Sequence, residues 1–178
     1  MQYRYKQHFK SLIILLFLYS CQISAKKEIK IEKYYPDGKV ESRLFMQNGK
    51  KNGIASLFYP TGKMKEEGKW VNDKQEGLWI FYYEDGTISG KINFLNDFQD
   101  GQSTFYFPNG SLDQEVQFKN GAPNGISKSY YRDINKIKQQ SEWVLGKRNG
   151  TVIIFDSLGN NSKKYLYKDD KLVKEYSN

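Results

Sequence analysis

"GKWVNDKQEGLWIFYYEDG" runs from Gly68 to Gly86 and reads as strand, turn, strand, turn. The motif Asn72–Gly77 and the pair Asp85-Gly86 mark the two turns, because glycine reaches positive φ without steric cost. The residues between them are rich in β-branched and aromatic side chains, the composition of strands. Leu78 to Tyr83 is apolar or aromatic at every position, so alternation marks neither a dry face nor a wet one. One hairpin cannot bury such rings alone. What covers them has to come from elsewhere in the chain.

It comes from copies of the same stretch. "NGKKNG" (Asn48–Gly53), "NDKQEG" (Asn72–Gly77), "NDFQDG" (Asn96–Gly101) and "NGAPNG" (Asn120–Gly125) repeat every 24 residues, and "LGKRNG" (Leu145–Gly150) follows after 25. "DDKLVK" (Asp169–Lys174) is a degraded sixth copy that lacks both turn glycines, as suits a closing cap. A second ladder, in "YPDGK", "YPTGK", "YEDGT" and "FPNGS", sets Gly38, Gly62, Gly86 and Gly110 at the same 24-residue spacing. The extra residue falls in "YYRDINKIK" (Tyr130–Lys138), where the turn glycine is missing and a looser turn is expected. No stretch after residue 33 has a helical period of useful length.

In this register the rings form columns. Seven residues before each closing glycine stand Met46, Trp70, Phe94, Phe118 and Trp143, with Tyr167 in the last copy. Five after it stand Phe58, Tyr82, Tyr106, Tyr130 and Phe155, and next to them Tyr59, Tyr83, Phe107 and Tyr131. The expectation is an all-β, elongated array of antiparallel hairpins in which each ring stacks on its counterpart in neighbouring units. About six units occupy residues 34–178, the last degenerate.

Residues 1–20 read as a signal peptide: Arg4, Lys6 and Lys10 precede a short apolar run, Leu12–Leu18, far below the ~20 residues that span a bilayer. "LYSC" (Leu18–Cys21) resembles a bacterial lipobox, which implies cleavage before Cys21 and lipidation of its thiol. The alternative is an ordinary signal peptide cut after Ala25. Cys21 is the only cysteine, so no intramolecular disulfide forms. Residues 21–33 are then a tether, and the chain is expected outside the cytoplasm, anchored to a membrane of the bacterial cell envelope on its periplasmic or surface side.

Loss of residues 1–20 lowers the formal charge from +8 to +5, too mild and too dispersed for nucleic acid. It also removes His8, the only histidine, which excludes Ser-His-Asp and Cys-His catalysis and His/Cys zinc sites. No phosphate-cradling or dinucleotide motif is present, and no cofactor or metal is expected. Carboxylate pairs do recur at Glu66-Glu67, Glu84-Asp85, Asp97 with Asp100, and Asp169-Asp170, mostly at turns, where Asp and Glu serve solvation and backbone bonding. No enzyme activity is expected. Trp79 stands outside the repeated columns, its place being taken elsewhere by Ala55, Ser103, Ser127 and Val152. Either it fills a local gap, or Trp79, Phe81 and Tyr83 are rings of a binding face.

"YPTGKMKEEGKWVNDKQEGLW" (Tyr59–Trp79) and "FPNGSLDQEVQFKNGAPNG" (Phe107–Gly125) resemble the MORN-repeat families, in the variant form of bacterial YwqK-type antitoxin-like proteins. The resemblance covers about residues 34–158 and thins toward 176. It implies a hairpin array, often curved into a groove, that serves as a scaffold binding proteins or lying against membranes. The reading that follows is a non-catalytic, lipid-anchored scaffold with an unknown protein or surface as partner. A toxin-neutralising protein and a cell-wall or carbohydrate-binding module are the alternatives. The aromatic-glycine hairpin speaks for the last of these, and the long period speaks against it.

Overall fold

The computed structural model describes residues 28–177. Its first strands are β1 (Glu28–Tyr34), β2 (Val40–Gln47), β3 (Lys50–Lys51), β4 (Gly53–Phe58) and β5 (Met64–Val71). Then come β6 (Lys74–Tyr82), β7 (Ile88–Leu95), β8 (Phe98–Gln99), β9 (Gly101–Tyr106) and β10 (Leu112–Lys119). The last are β11 (Ala122–Tyr130), β12 (Ile137–Val144), β13 (Lys147–Phe155), β14 (Asn161–Lys168) and β15 (Lys171–Tyr176). All pair antiparallel in one open sheet whose spatial order is the chain order, with the two-residue strands β3 and β8 at the hairpin ends of β2 and β7. The described residues contain no helix. The fold is the expected all-β hairpin array.

Both turn ladders have direct physical causes. The tight turns carry two residues at positive φ, as in Asn72 (50°) and Asp73 (70°), the geometry that matches the twist of the flanking strands. Successive tight turns dock on one another. The Asp73 amide donates to the Lys51 carbonyl at 3.0 Å, while Asp73 Oδ1 accepts the Lys51 amide at 2.7 Å. Asp97 repeats this on Gln75, and Asp170 on Arg148.

The wider turns are tied by a row of side chains. Tyr35, Tyr59, Tyr83 and Tyr131 donate their hydroxyls to the carbonyls of Phe58, Tyr82, Tyr106 and Phe155 in the next unit, at 2.6–2.9 Å. Lys39, Lys63 and Lys136 reach the next turn's carbonyls at Pro60, Asp85 and Leu158. The looser turn spans Tyr131–Lys136, where Asn135 (φ 48°) takes the glycine's place. Gly159 resumes the ladder in "DSLGN", a copy in which Asp156 stands where the others have Tyr or Phe.

Two expectations need correction. Residues 28–33 are not tether: they form most of β1 and pair with β2 from Glu28–Gln47 to Lys33–Ser42. Ile29 and Ile31 alternate with charges, the period of a strand, and Glu32 is held by Lys30 and Arg43, each at 2.8 Å. The repeat domain therefore begins by residue 28. Residues 1–20, Cys21 and the rest of the tether to 27 lie outside the described residues.

Nor do rings of one column stack on each other. Counterparts 24 residues apart sit two strands apart, about 9–10 Å in the sheet, too far for ring contact. Across from each column ring lies a closing glycine instead: Gly53 faces Trp70, Gly77 Phe94, Gly101 Phe118, Gly125 Trp143 and Gly150 Tyr167. The two sequence ladders meet as cross-strand pairs.

Candidate functional site: the ring face of the sheet

Residues directly opposite in an antiparallel pair share a face, and the face alternates along each strand. The pairs Ala55–Gly68, Trp79–Ile92, Ser103–Val116, Ser127–Ser141 and Val152–Tyr165 therefore run across one face. Every buried side chain among the described residues belongs to it: Ala55, Trp79, Ile92, Ser103, Ser141 and Val152.

Toward the N-terminal end this face is filled. Trp79 is 1% exposed and meets Trp70 edge-on at 5.6 Å and Phe94 at 6.1 Å, with Phe81 stacked at 6.5 Å. It bridges two members of one column that cannot touch. Of the two sequence readings of Trp79, gap filling is therefore the one observed, and a buried indole presents no ring to a partner. Phe81 lies beside it, half-buried opposite Gly90. Tyr83 is not with them; it opens a wide turn and its hydroxyl is used on Tyr106. Glu66, also on this face, is pushed up from the usual carboxylate range by burial.

Toward the C-terminal end the same face opens. Ser127 and Ser129 stand where Trp79 and Phe81 stand two units earlier. A cavity of about 360 Å³ results, lined on this face by Gln114, Val116, Phe118, Ser129, Gln139 and Trp143 among others. Trp143 Nε1 donates to Ser127 Oγ at 2.7 Å, and Gln139 donates to Ser141 Oγ at 2.9 Å. The Gln114 amide and the Ser129 hydroxyl make no side-chain hydrogen bond, and Ser103, opposite Val116, is fully buried with its hydroxyl unpartnered. Lys128 reaches the rim from the other face, which it shares with Glu115 and Gln140.

That other face is the wet one. Ile54, Leu78 and Ile126 are exposed there between charged neighbours. A charge of alternating sign runs across it in Arg43, Glu67, Lys91 and Glu115. The bases lie over rings, Arg43 over Phe58 and Lys91 over Tyr106. The acids accept tyrosine hydroxyls, Glu67 from Tyr82 and Glu115 from Tyr130. Burial and then Glu115 push the Tyr130 phenol up to about 12.

Four of the eight carboxylates weighed for chemistry are spent on backbone: Asp85 accepts the Thr87 amide, Asp97 that of Gln75, Asp100 that of Asn120 and Asp170 that of Arg148. No cluster of three His, Cys, Asp or Glu among the described residues is placed to hold a metal. None of the described residues forms a helix long and apolar enough to cross a membrane. The cavity was not foreseen, although the Ser127 and Ser129 positions within the register marked it.

A solved structure described as "Crystal Structure of TarM" is similar at 14% identity and a TM-score of 0.35, over 64% of this chain and 19% of that one. The chain thus spans about a fifth of that protein's length. No curated protein matches. The MORN repeat variant matches four times in tandem, at residues 27–48, 51–72, 75–96 and 99–120. The same hairpin continues beyond them through β11 to β15. Over residues 27–120 the chain is a tandem array of MORN repeat variants, and it belongs to that family.

Proposed function

We propose that this repeat scaffold is a non-catalytic, lipid-anchored protein of the bacterial cell envelope that binds another protein or a surface through its sheet. The observation that carries the binding role is the division of labour among side chains. Turn acids, tyrosines and lysines are used to tie one unit to the next, whereas the cavity beside Trp143 and the apolar row on the wet face are left open. Anchoring rests on the sequence, where Leu18–Cys21 follows a basic and then an apolar segment. Attachment of one lipid chain gives only marginal membrane binding, so the diacylglycerol expected of a lipobox cysteine is the minimum for a stable anchor.

Metabolic labelling with a palmitate analogue tests the anchor. The wild-type chain takes the label and Cys21→Ala loses it; an unlabelled wild type, or a labelled variant, rejects lipidation at Cys21. Co-purification from membranes through a C-terminal tag tests the scaffold role. A stoichiometric partner, lost when Leu78 or Gln114 is replaced by a bulky charge, is the expected result. Recovery of the chain alone from membranes under mild extraction would contradict it.

A further inference from the structure

We infer that the cavity between β10, β11 and β12 is a binding site for a neutral saccharide, one or two sugar rings in size. The inference does not depend on the lipid anchor. Its volume, about 360 Å³, falls in the range of small-ligand sites. It exists because two rings are missing: Ser127 and Ser129 replace what are Trp79 and Phe81 in the filled part of the same face.

The lining chemistry selects the class of ligand. In a chain where 27% of residues are charged, this face places no charge in the cavity. A cation would meet Lys128 and no acid in the lining, which disfavours it. Lys128 itself belongs to the face it shares with Glu115, which leaves an anion no partner on the ring face. A purely apolar ligand would strip water from Gln114 and Ser129, whose side-chain donors and acceptors would be left unpaired. A peptide strand binds by adding to a free sheet edge, and this site lies mid-sheet with β9 and β13 on either side.

A neutral sugar meets each requirement. Its adjacent hydroxyls match the planar amides of Gln114 and Gln139, which offer a donor and an acceptor side by side. Its C–H face suits the indole of Trp143, held in orientation by the hydrogen bond to Ser127. Val116 and Phe118 close the apolar side.

The test is calorimetric titration of the detergent-solubilised full chain with maltotriose, chitotriose and, as the acidic counterpart, trigalacturonate. The expected result is saturable binding of a neutral trisaccharide with a Kd below about 1 mM, and none of trigalacturonate. Gln114→Ala leaves the melting temperature unchanged, since this amide bonds to no protein group, and weakens binding by about tenfold. The double variant Val116→Gly with Ser127→Trp rebuilds the Gly68–Trp79 arrangement and abolishes binding. Absence of saturation by both neutral sugars at about 10 mM overturns the inference. Wild-type affinity in Gln114→Ala, or tighter binding of trigalacturonate, overturns it equally.

Discussion

The indole of Trp79 occupies the space a side chain on Gly68 would need: a Cβ built on Gly68 would lie 2.1 Å from the ring. Gly68 has no positive φ, so its identity is set by this close approach and not by its backbone. Elsewhere in a strand, Gly→Ala is a favourable change in propensity. Here the sign reverses. Gly68→Ala is expected to destabilise by about 1–3 kcal/mol through overpacking, read from urea unfolding. Trp79→Ala should lose about 3–5 kcal/mol, and the double variant less than the sum, because one truncation relieves the other's clash. Additive effects would show that the two do not share one space.

Trp70→Ala is expected to be of the same order, about 3–5 kcal/mol, because its ring packs edge-on against the buried Trp79. A melting temperature unchanged within error would remove Trp70 from the filled part of the face.

The tyrosine ladder makes a pair of opposite predictions. Tyr59→Phe deletes a 2.8 Å hydrogen bond to the Tyr82 carbonyl and should destabilise by about 0.5–1.5 kcal/mol. Phe107 is the copy in which the hydroxyl is missing, so Phe107→Tyr should add a bond to the Tyr130 carbonyl and stabilise by a similar amount. Opposite signs in thermal or urea unfolding are the check.

Asp73 and Asp97 trade backbone ease for a link between units. Asp97→Gly relieves positive φ at 72° but loses the 2.7 Å bond from the Gln75 amide. Asp97→Ala loses the bond and keeps the strain. The Ala variant should therefore be the less stable of the two by about 1 kcal/mol. Equal stabilities would mean that the left-handed geometry carries no weight at this turn.

Stability should be flat near neutrality and fall at both extremes of pH. Hydrogen bonds from Lys30, then Arg43 and Tyr34, pull Glu32 from 4.5 to about 2. The partners Lys39, Thr87 and Lys119 lower Asp37, Asp85 and Asp100, and backbone amides lower Asp156 and Asp170. A lowered folded pKa stabilises above the unfolded value, and that contribution disappears as pH falls through the folded one. The melting temperature should therefore drop from about pH 4.5 to about pH 2, with Glu66 alone opposing the trend because burial raises it. The Tyr130 phenol, raised from 10.0 to about 12, stabilises below pH 10 and ceases to do so as pH rises through 12. A melting temperature that rises between pH 5 and pH 3 would contradict this balance.

Much of the architecture was legible because one glycine ladder marks the wide turns and the other keeps the hairpin period, although the closing glycines sit in strands and not in turns. Gly53 and Gly77 mark the hairpin period whatever packs around them. The stacking of columns was misjudged because a period in sequence gives register and not lateral distance; the strand between Trp70 and Phe94 had to be counted. In sequence β1 reads as tether because Lys30, Glu32 and Lys33 mask an edge strand whose aliphatic residues are only Ile29 and Ile31. The candidate site was legible in retrospect alone. Ser127 and Ser129 are unremarkable serines until the register places them where a Trp and a Phe stand earlier, and only the paired strands show that nothing else fills the gap.

The central claim is that interchangeable 24-residue units share their burial with neighbours across one sheet. Deleting residues 102–125 removes one period and joins Gly101 to Ile126, which occupies the same register position as Gln102. The expected product folds with a β-type circular dichroism spectrum, unfolds in one transition, and has a urea m-value lower by roughly a sixth. A deletion product that is unfolded, or one that unfolds in separate steps, would contradict the account.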